Sequence, residues 1–352
     1  MTTTIGSGLG GFAAIAVQPT YGAPFVTPTR TLAIKSGKMT TNPHPVQGGP
    51  YLAGGRSVDI GSARQLIWLD ANGTLSGDVM NTGYAALFAT AFGTSATLTQ
   101  IGTSPAYQLG GASGAAFGSP DTNNGGMSGC CFDMQLGVPT TDGTQRPESY
   151  HSCMITKSEW VFDRTGYCTF SHDIDAQYLE KTTPLITPTF ATAPVPFSMG
   201  TPASTFKVGA FGAEVPIDGV RKCTITFTRE LATDRIYLGN QYKDVPVTKG
   251  LTKLAVSIDV DYTVAAKTGL FDLFLAGVPQ SFVATAVGSQ IGTSPSYNTF
   301  GLNVTNAFAD SGGESPLEGP DIVKNTIAWS GTINAAGTAP ALGTLITADT
   351  GW

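Results

Sequence analysis

Cysteine and histidine come first, because they are the side chains here that could ligate a metal or form a nucleophile–base pair. The chain carries Cys130, Cys131, Cys153, Cys168 and Cys223, and three histidines, His44, His151 and His172. Cys130-Cys131, then about twenty residues, then His151-x-Cys153 is not a zinc-ligand spacing. Buried, inert thiols are the expectation. An odd cysteine count, with none in the last third, does not make a disulfide framework and fits a reducing cytoplasm. Ser171, His172, Asp173 and Asp175 offer hydrolase residue types. The serine has no nucleophile-elbow context, and no second element supplies a base, so these read as strand-end residues. Gly6-Ser7-Gly8-Leu9-Gly10-Gly11 lacks the preceding strand, the Lys-Ser/Thr and the following helix of a phosphate loop. It reads as a flexible arm. His44, between Pro43 and Pro45, reads as structural or solvent-facing. No catalytic constellation emerges, so neither an enzyme, a cofactor nor a metal is expected.

The elements that would position any site are mostly strands. Period-two alternation runs through residues 254–263: Leu254, Val256, Ile258 and Val260 alternate with Ala255, Ser257, Asp259 and Asp261. Asp259 and Asp261 therefore share a wet face. Further strands are expected at 11–17, 30–35, 66–69, 74–80, 134–136, 153–162, 167–173, 222–229, 322–329 and 344–347. Asp163-Arg164-Thr165-Gly166 is a hairpin turn between two of them. Two short helices are predicted, over 83–92 before Gly93 and over 269–276 before Gly277. Helices this short survive only when packed. Leu87, Phe88 and Phe92, and Phe271, Phe274 and Leu275, are expected to lie on a sheet.

Composition narrows the class. Hydrophobic residues make up 41% and charged residues 12% of the 352, against about 25% charged in ordinary domains. Such a chain either packs much of its surface against other copies or is a Thr/Ser/Gly-rich β protein. A net charge of −6 with no basic stripe excludes tight nucleic-acid binding. It leaves room for a polyanion to slide past without sticking. Residues 1–11 have neither a basic residue nor an apolar core, so no signal peptide is expected. No run approaches about 18 apolar residues, so no membrane span is expected.

A long-period repeat bears on organisation. Gln100-Ile101-Gly102-Thr103-Ser104-Pro105-Ala106-Tyr107 returns 190 residues later as Gln290-Ile291-Gly292-Thr293-Ser294-Pro295-Ser296-Tyr297. The predicted helices are offset by a similar length, and each follows a strand. Polar excursions, residues 35–56 and 229–250, hold Tyr51-Leu52-Ala53-Gly54 and Tyr237-Leu238-Gly239. Glycine-rich segments fall at 109–129 and 309–319. This pattern is that of a duplicated module. We divide the chain into an N-terminal arm, 1–11, a first module, 12–182, a Pro/Thr-rich linker, 183–205, and a second module, 206–352.

The run from Gly6 to Ala16, with Pro19-Thr20-Tyr21-Gly22 and Pro28-Thr29-Arg30, resembles the major tail tube proteins of long-tailed bacteriophages, in the branch common in phages of actinobacteria and related hosts. Further matching stretches follow in the family's order. They are Val46-Gln47-Gly48-Gly49-Pro50-Tyr51-Leu52-Ala53-Gly54-Gly55-Arg56, Phe132-Asp133-Met134-Gln135-Leu136-Gly137, Asp142-Gly143-Thr144, Tyr150-His151-Ser152-Cys153, Leu231-Ala232-Thr233-Asp234-Arg235 and Leu270-Phe271-Asp272-Leu273-Phe274-Leu275-Ala276-Gly277.

The resemblance implies a mainly β fold: a duplicated tail-tube module, each copy two packed β-sheets with one short flanking helix and long excursions. It implies stacked rings around a lumen that conducts double-stranded DNA into the host, in a virion tail assembled in the bacterial cytoplasm. Partners would be other copies of the chain, a tape-measure protein, a tail terminator and tail-tip or baseplate proteins. Two modules per chain imply trimeric, pseudo-sixfold rings; hexameric rings are the rival. Asp259, Asp261 and Asp78 are the lumen-facing candidates. Gly48, Tyr51, Arg56, Asp234, Arg235 and Tyr237 are candidates for contacts between rings or neighbours. The alternatives are another virion protein (a terminator, capsid decoration or tip component) or a carbohydrate-binding β-sandwich, for which no evident cluster forms among Trp68, Trp160, Trp329 and Trp352.

Overall fold

The computed structural model describes residues 11–47, 64–93, 98–110, 115–116, 131–140, 144–181, 183–191, 194–311, 324–333 and 339–350. The arm at 1–10, the contact candidates Gly48, Tyr51 and Arg56, Cys130, Trp352 and most of the two glycine-rich segments lie outside the described residues.

The first half contains β1 (Phe12–Gln18), β2 (Arg30–Leu32), β3 (Ser36–Gln47), β4 (Arg64–Asp78), α1 (Ala85–Phe92), β5 (Leu98–Gln100), β6 (Tyr107–Leu109), β7 (Ala115–Ala116), β8 (Cys131–Pro139), β9 (Gln145–Asp163), β10 (Thr169–Ala176) and β11 (Tyr178–Glu180). The second contains β12 (Thr205–Gly209), β13 (Val215–Pro216), β14 (Val220–Thr228), β15 (Leu231–Ala232), β16 (Val247–Thr248), β17 (Lys253–Asp261), α2 (Val264–Ala266), a π turn (Lys267–Phe271), α3 (Asp272–Leu275), β18 (Gln280–Gln290), β19 (Tyr297–Ser311), β20 (Lys324–Gly331) and β21 (Ala341–Thr347). The chain is mainly β, as its alternation predicts.

Strand pairing recurs along the chain. The pairings β1–β8, β3–β4, β4–β10, β8–β9, β9–β10 and β9–β11 have counterparts in β12–β18, β14–β17, β17–β20, β18–β19, β19–β20 and β19–β21. Even a register irregularity recurs, at Asp173/Ile174 between β10 and β9 and at Ala309/Ser311 between β19 and β20.

The octapeptides behave differently from the expectation that they mark matching places. The second forms the turn of β18–β19, whose counterpart is β8–β9. The first forms the turn of β5–β6, a hairpin inserted after α1. The two turns nevertheless have one conformation. Gly102 and Gly292 adopt φ of 58° and 57°, a left-handed backbone that suits glycine. The Gln100 and Gln290 side chains each donate to the carbonyl of the serine four residues on, at 2.8 and 2.6 Å. Strand β21 pairs with β19 on one side and β6 on the other, which brings the turns to the same end of the sheet. There the Ser104 hydroxyl donates to that of Ser294 at 2.5 Å.

Two other expectations change. Residues 66–69 and 74–80 are not separate strands: β4 runs unbroken from Arg64 to Asp78. A Cβ on Gly73 would run into the Lys38 carbonyl oxygen, so glycine here admits a close neighbouring backbone instead of making a turn. The excursion after residue 35 begins as strand β3, paired with β4 along its whole length.

The core sits between sheet layers. Phe162 of β9 stacks on Phe300 of β19 at 5.4 Å, and Phe282 of β18 meets Trp329 of β20 edge-on at 4.9 Å. Helix α1 is buried on every side. Gly93, at φ 68°, closes it by donating to Ala89 and Thr90. Arg229 of the second half donates to the Ala91 carbonyl at 2.7 Å, a cation on the negative end of the helix. Leu87, Phe88 and Phe92 are fully buried. The second helical segment departs from expectation. It runs from Val264 through a π turn to Leu275; Leu270 is buried, Phe271 and Phe274 are half-buried, and Leu275 is 68% exposed. The extra residue of the π turn rotates the apolar residues around the axis, and Leu270 takes the inward position.

Candidate functional site

Eight strands join edge to edge across both halves in the order β3-β4-β10-β9-β14-β17-β20-β19. The join between halves is the β9–β14 ladder, from Lys222 opposite Asp163 to Thr228 opposite Lys157. One face of this sheet carries core residues: Leu75, Phe170, Trp160, Ile225, Val256, Ile258 and Trp329 are all buried. The other follows from strict alternation and is polar. Ser76, Ser171, Glu159, Thr226 and Ser330 lie along one course across it, and Asp163, Lys222, Asp259 and Thr326 along another.

Register places all three carboxylate candidates on this polar face, in different surroundings. Asp259 accepts from the Thr326 hydroxyl at 2.7 Å. Asp261 accepts from the Arg221 guanidinium at 2.6 Å and keeps 27% of its side chain exposed. Asp78 is buried at the margin of the face, where Lys35 donates to it at 2.6 Å. Each carboxylate is thus matched by a donor. Cations also alternate with anions here: Lys157 lies 3.8 Å from Glu159. Lys157, Glu159, Asp163, Arg221 and Lys222 belong to this surface and were not singled out from sequence. Their signal was the alternation over 157–163 and 222–228, beside charges that look like ordinary solvated residues.

The candidates on the second excursion separate. Arg235 donates to the Val245 carbonyl and to the Tyr237 hydroxyl, holding the loop's own shape, and Tyr237 is 51% exposed. Asp234 is exposed. The excursion docks on the first half of the same chain. Lys243 donates to Asp175 of β10 at 2.6 Å, Tyr242 stacks on Tyr178 at 4.0 Å, and the Leu69 amide donates to the Gln241 carbonyl at 3.4 Å.

His44 stacks on Trp68 at 3.5 Å. Ser152, at φ 47°, accepts from the Gly22 amide and donates to Gln18, and its own amide donates to Asp133. These bonds pin the loop after β1. Cys131, Cys153, Cys168 and Cys223 are buried, and burial raises the last three thiols, Cys168 to about 12. Among the described residues no group of three or more His, Cys, Asp or Glu could hold a metal ion, and no helix is long and apolar enough to cross a membrane.

His172 sits in a buried chain with Ser158, Tyr84 and Trp160. Burial, then the charge of Arg229, depresses its pKa from 6.5 to about 3. A depressed histidine contributes stability that is present above pH 6.5 and lost as pH falls toward 3. Asp175 is raised from 3.8 to about 6 by burial, against the pull of Lys243. Its contribution has the opposite sign: present below 3.8 and lost as pH rises through 6. The two offset each other between pH 6 and 4. Below that, the uncompensated His172 term costs about 1.4 kcal/mol per pH unit. Urea midpoints measured from pH 3 to 7 should therefore fall less steeply on the acid side for His172→Asn than for the natural chain.

No protein-family model matches the chain, and no curated protein shows significant similarity to it.

Proposed function

We propose that the chain is the structural subunit of a bacteriophage tail tube, built from two copies of one module and polymerising as stacked rings into a conduit for double-stranded DNA. The observation that carries this reading is the eight-stranded sheet. Two four-stranded sets, β3-β4-β10-β9 and β14-β17-β20-β19, pair in matching order and meet at β9–β14. Such an internal join is what a sheet continued from subunit to subunit would repeat. Strand β3 supports it from the other end. It is twelve residues long, mostly exposed, and among the described residues pairs only with β4. Pro43, Pro45 and a register irregularity at His44/Pro45 blunt its last part, so the stretch over residues 36–42 is the template it offers to another strand. The contact is head-to-tail, which closes rings, and two modules per chain make trimeric rings with pseudo-sixfold symmetry.

The polar face is then the bore. Charges of both signs, largely matched within the sheet, give phosphates no basic track to bind. Asp259 and Asp261 line the bore, with Asp78 at its margin. The tape-measure protein, the tail terminator and the tail-tip proteins are partners on the same reading, and the mature location is the virion tail. The test is negative-stain electron microscopy of concentrated protein, with end views scored for symmetry. Hollow tubes with three chains per ring are expected. Thr40→Pro, at an exposed position of the edge strand, should abolish them and leave a folded monomer. Rings that never stack, or monomers at every concentration, would overturn the reading.

A further inference from the structure

Each half places one short helical segment after the second strand of its four-stranded set, and the two segments have opposite fates. Helix α1 follows β4 and has no exposed side chain. Its own half covers it partly, through Trp160 of β9. The remaining cover comes from the other half. Phe227 meets Phe92 edge-on at 5.6 Å, Phe300 meets Phe88 at 5.4 Å, Gly343 admits both rings, and Arg229 binds the terminal carbonyls.

The rod formed by α2, the π turn and α3 follows β17, the counterpart of β4. Its own half covers it as far as Leu270, which is buried, and Gly269, which faces Ile217. Among the described residues no aromatic ring of the other half meets Phe271 or Phe274 as Phe227 and Phe300 meet the rings of α1. Val264 is 82% exposed, Leu275 68% and Val278 42%, with Phe271 and Phe274 half-buried beside them. Exposed valine and leucine beside two half-buried phenylalanines, interrupted by the Lys267–Asp272 pair, are an apolar surface that a partner would cover.

We infer that this face, Val264 with Phe271, Phe274, Leu275 and Val278, is covered by the first half of a second copy of the chain. The occupant follows from the internal arrangement. The half joined through β14 to the open side of the first four strands is the half that covers α1. The half that joins the open side of the second four strands should cover α2–α3 in the same way. Within one chain no such half exists; it must be a neighbour's first half, presented beside its free β3 edge. The inference rests on the tube reading and adds to it a hydrophobic contact distinct from the strand-to-strand join.

The test uses the full chain, natural and carrying Val264→Asp with Leu275→Asp. Both positions are exposed in the monomer, so circular dichroism and the urea midpoint should not change. Assembly is followed by sedimentation and electron microscopy, and amide exchange over residues 264–278 is compared in monomer and tube. At least a tenfold rise in the critical concentration of the variant is expected, with slowed exchange at 264–278 on assembly of the natural chain. Tubes that form from both at the same concentration, with unchanged exchange there, would overturn the contact and leave the tube reading standing. A natural chain that never assembles would overturn both.

Discussion

Replacing Asp175 by asparagine is expected to cost about 3–5 kcal/mol, the range for breaking a buried ion pair by removing one partner. The Lys243 ammonium and the Asp175 carboxylate are 2.6 Å apart, with side chains 1% and 11% exposed. Removing the carboxylate leaves a cation with no water and no countercharge. Lys243→Met should cost less, because a carboxyl already raised to about 6 can take up a proton and become neutral. The double variant, Asp175→Asn with Lys243→Met, should recover much of the loss, since neither buried charge remains. Urea unfolding of all four proteins completes the cycle. The pair also anchors the excursion over residues 229–250. Gln177 donates to the Lys243 carbonyl at 2.6 Å, and Tyr242 stacks beside it on Tyr178. Asp175→Asn should therefore expose the loop around Tyr237 and Leu238 to limited proteolysis before the rest of the chain opens. A loss under about 1 kcal/mol, with no new cleavage, would mean that water reaches the pair.

Phe88→Ala is the second large effect, about 3–5 kcal/mol for truncating a fully buried aromatic side chain. Phe88 is 0% exposed. It touches Tyr84 and Phe92 on its own helix, Trp160 on β9 and Phe300 on β19, with ring centroids 4.8–5.9 Å apart. Its removal opens a cavity where the halves meet. Gly343→Val tests the same contact from the other side. A Cβ there would stand 2.7 Å from the Phe88 ring and 2.8 Å from Phe92, so the rings must move. Overpacking of this kind costs about 1–3 kcal/mol. Calorimetry should show lowered midpoints for both variants. Combining them should cost less than their sum, because alanine vacates the space that valine needs.

Much of the local structure was legible in the sequence. Alternation over 254–261 fixed which side chains of β17 face the core, and Leu254, Val256, Ile258 and Val260 are all buried. Gly93 marked the end of α1, and Asp163-Arg164-Thr165-Gly166 marked the β9–β10 turn, because these signals depend on the backbone preferences of a few adjacent residues. Asp259 and Asp261 could be placed on one wet face by the same periodicity. The octapeptides share one turn conformation, because the same few residues set the same local backbone, yet their near-identity misled about position: they do not mark matching places.

Tertiary structure alone decided where those turns go. Ser104 meets Ser294 only because β21, the last described strand, inserts between β6 and β19, and strand partners are chosen by contacts far apart in sequence. The same holds for Asp78, whose polar position does not reveal that Lys35 and the chain margin bury it. It holds for Gly73, a turn residue by type that serves as a gap for a neighbouring backbone. Lys243 reads as one more solvated charge until the excursion folds onto β10. Periodicity tells which face of a strand is apolar; it carries no information about which strand lies beside it, or about what covers the face of a helix.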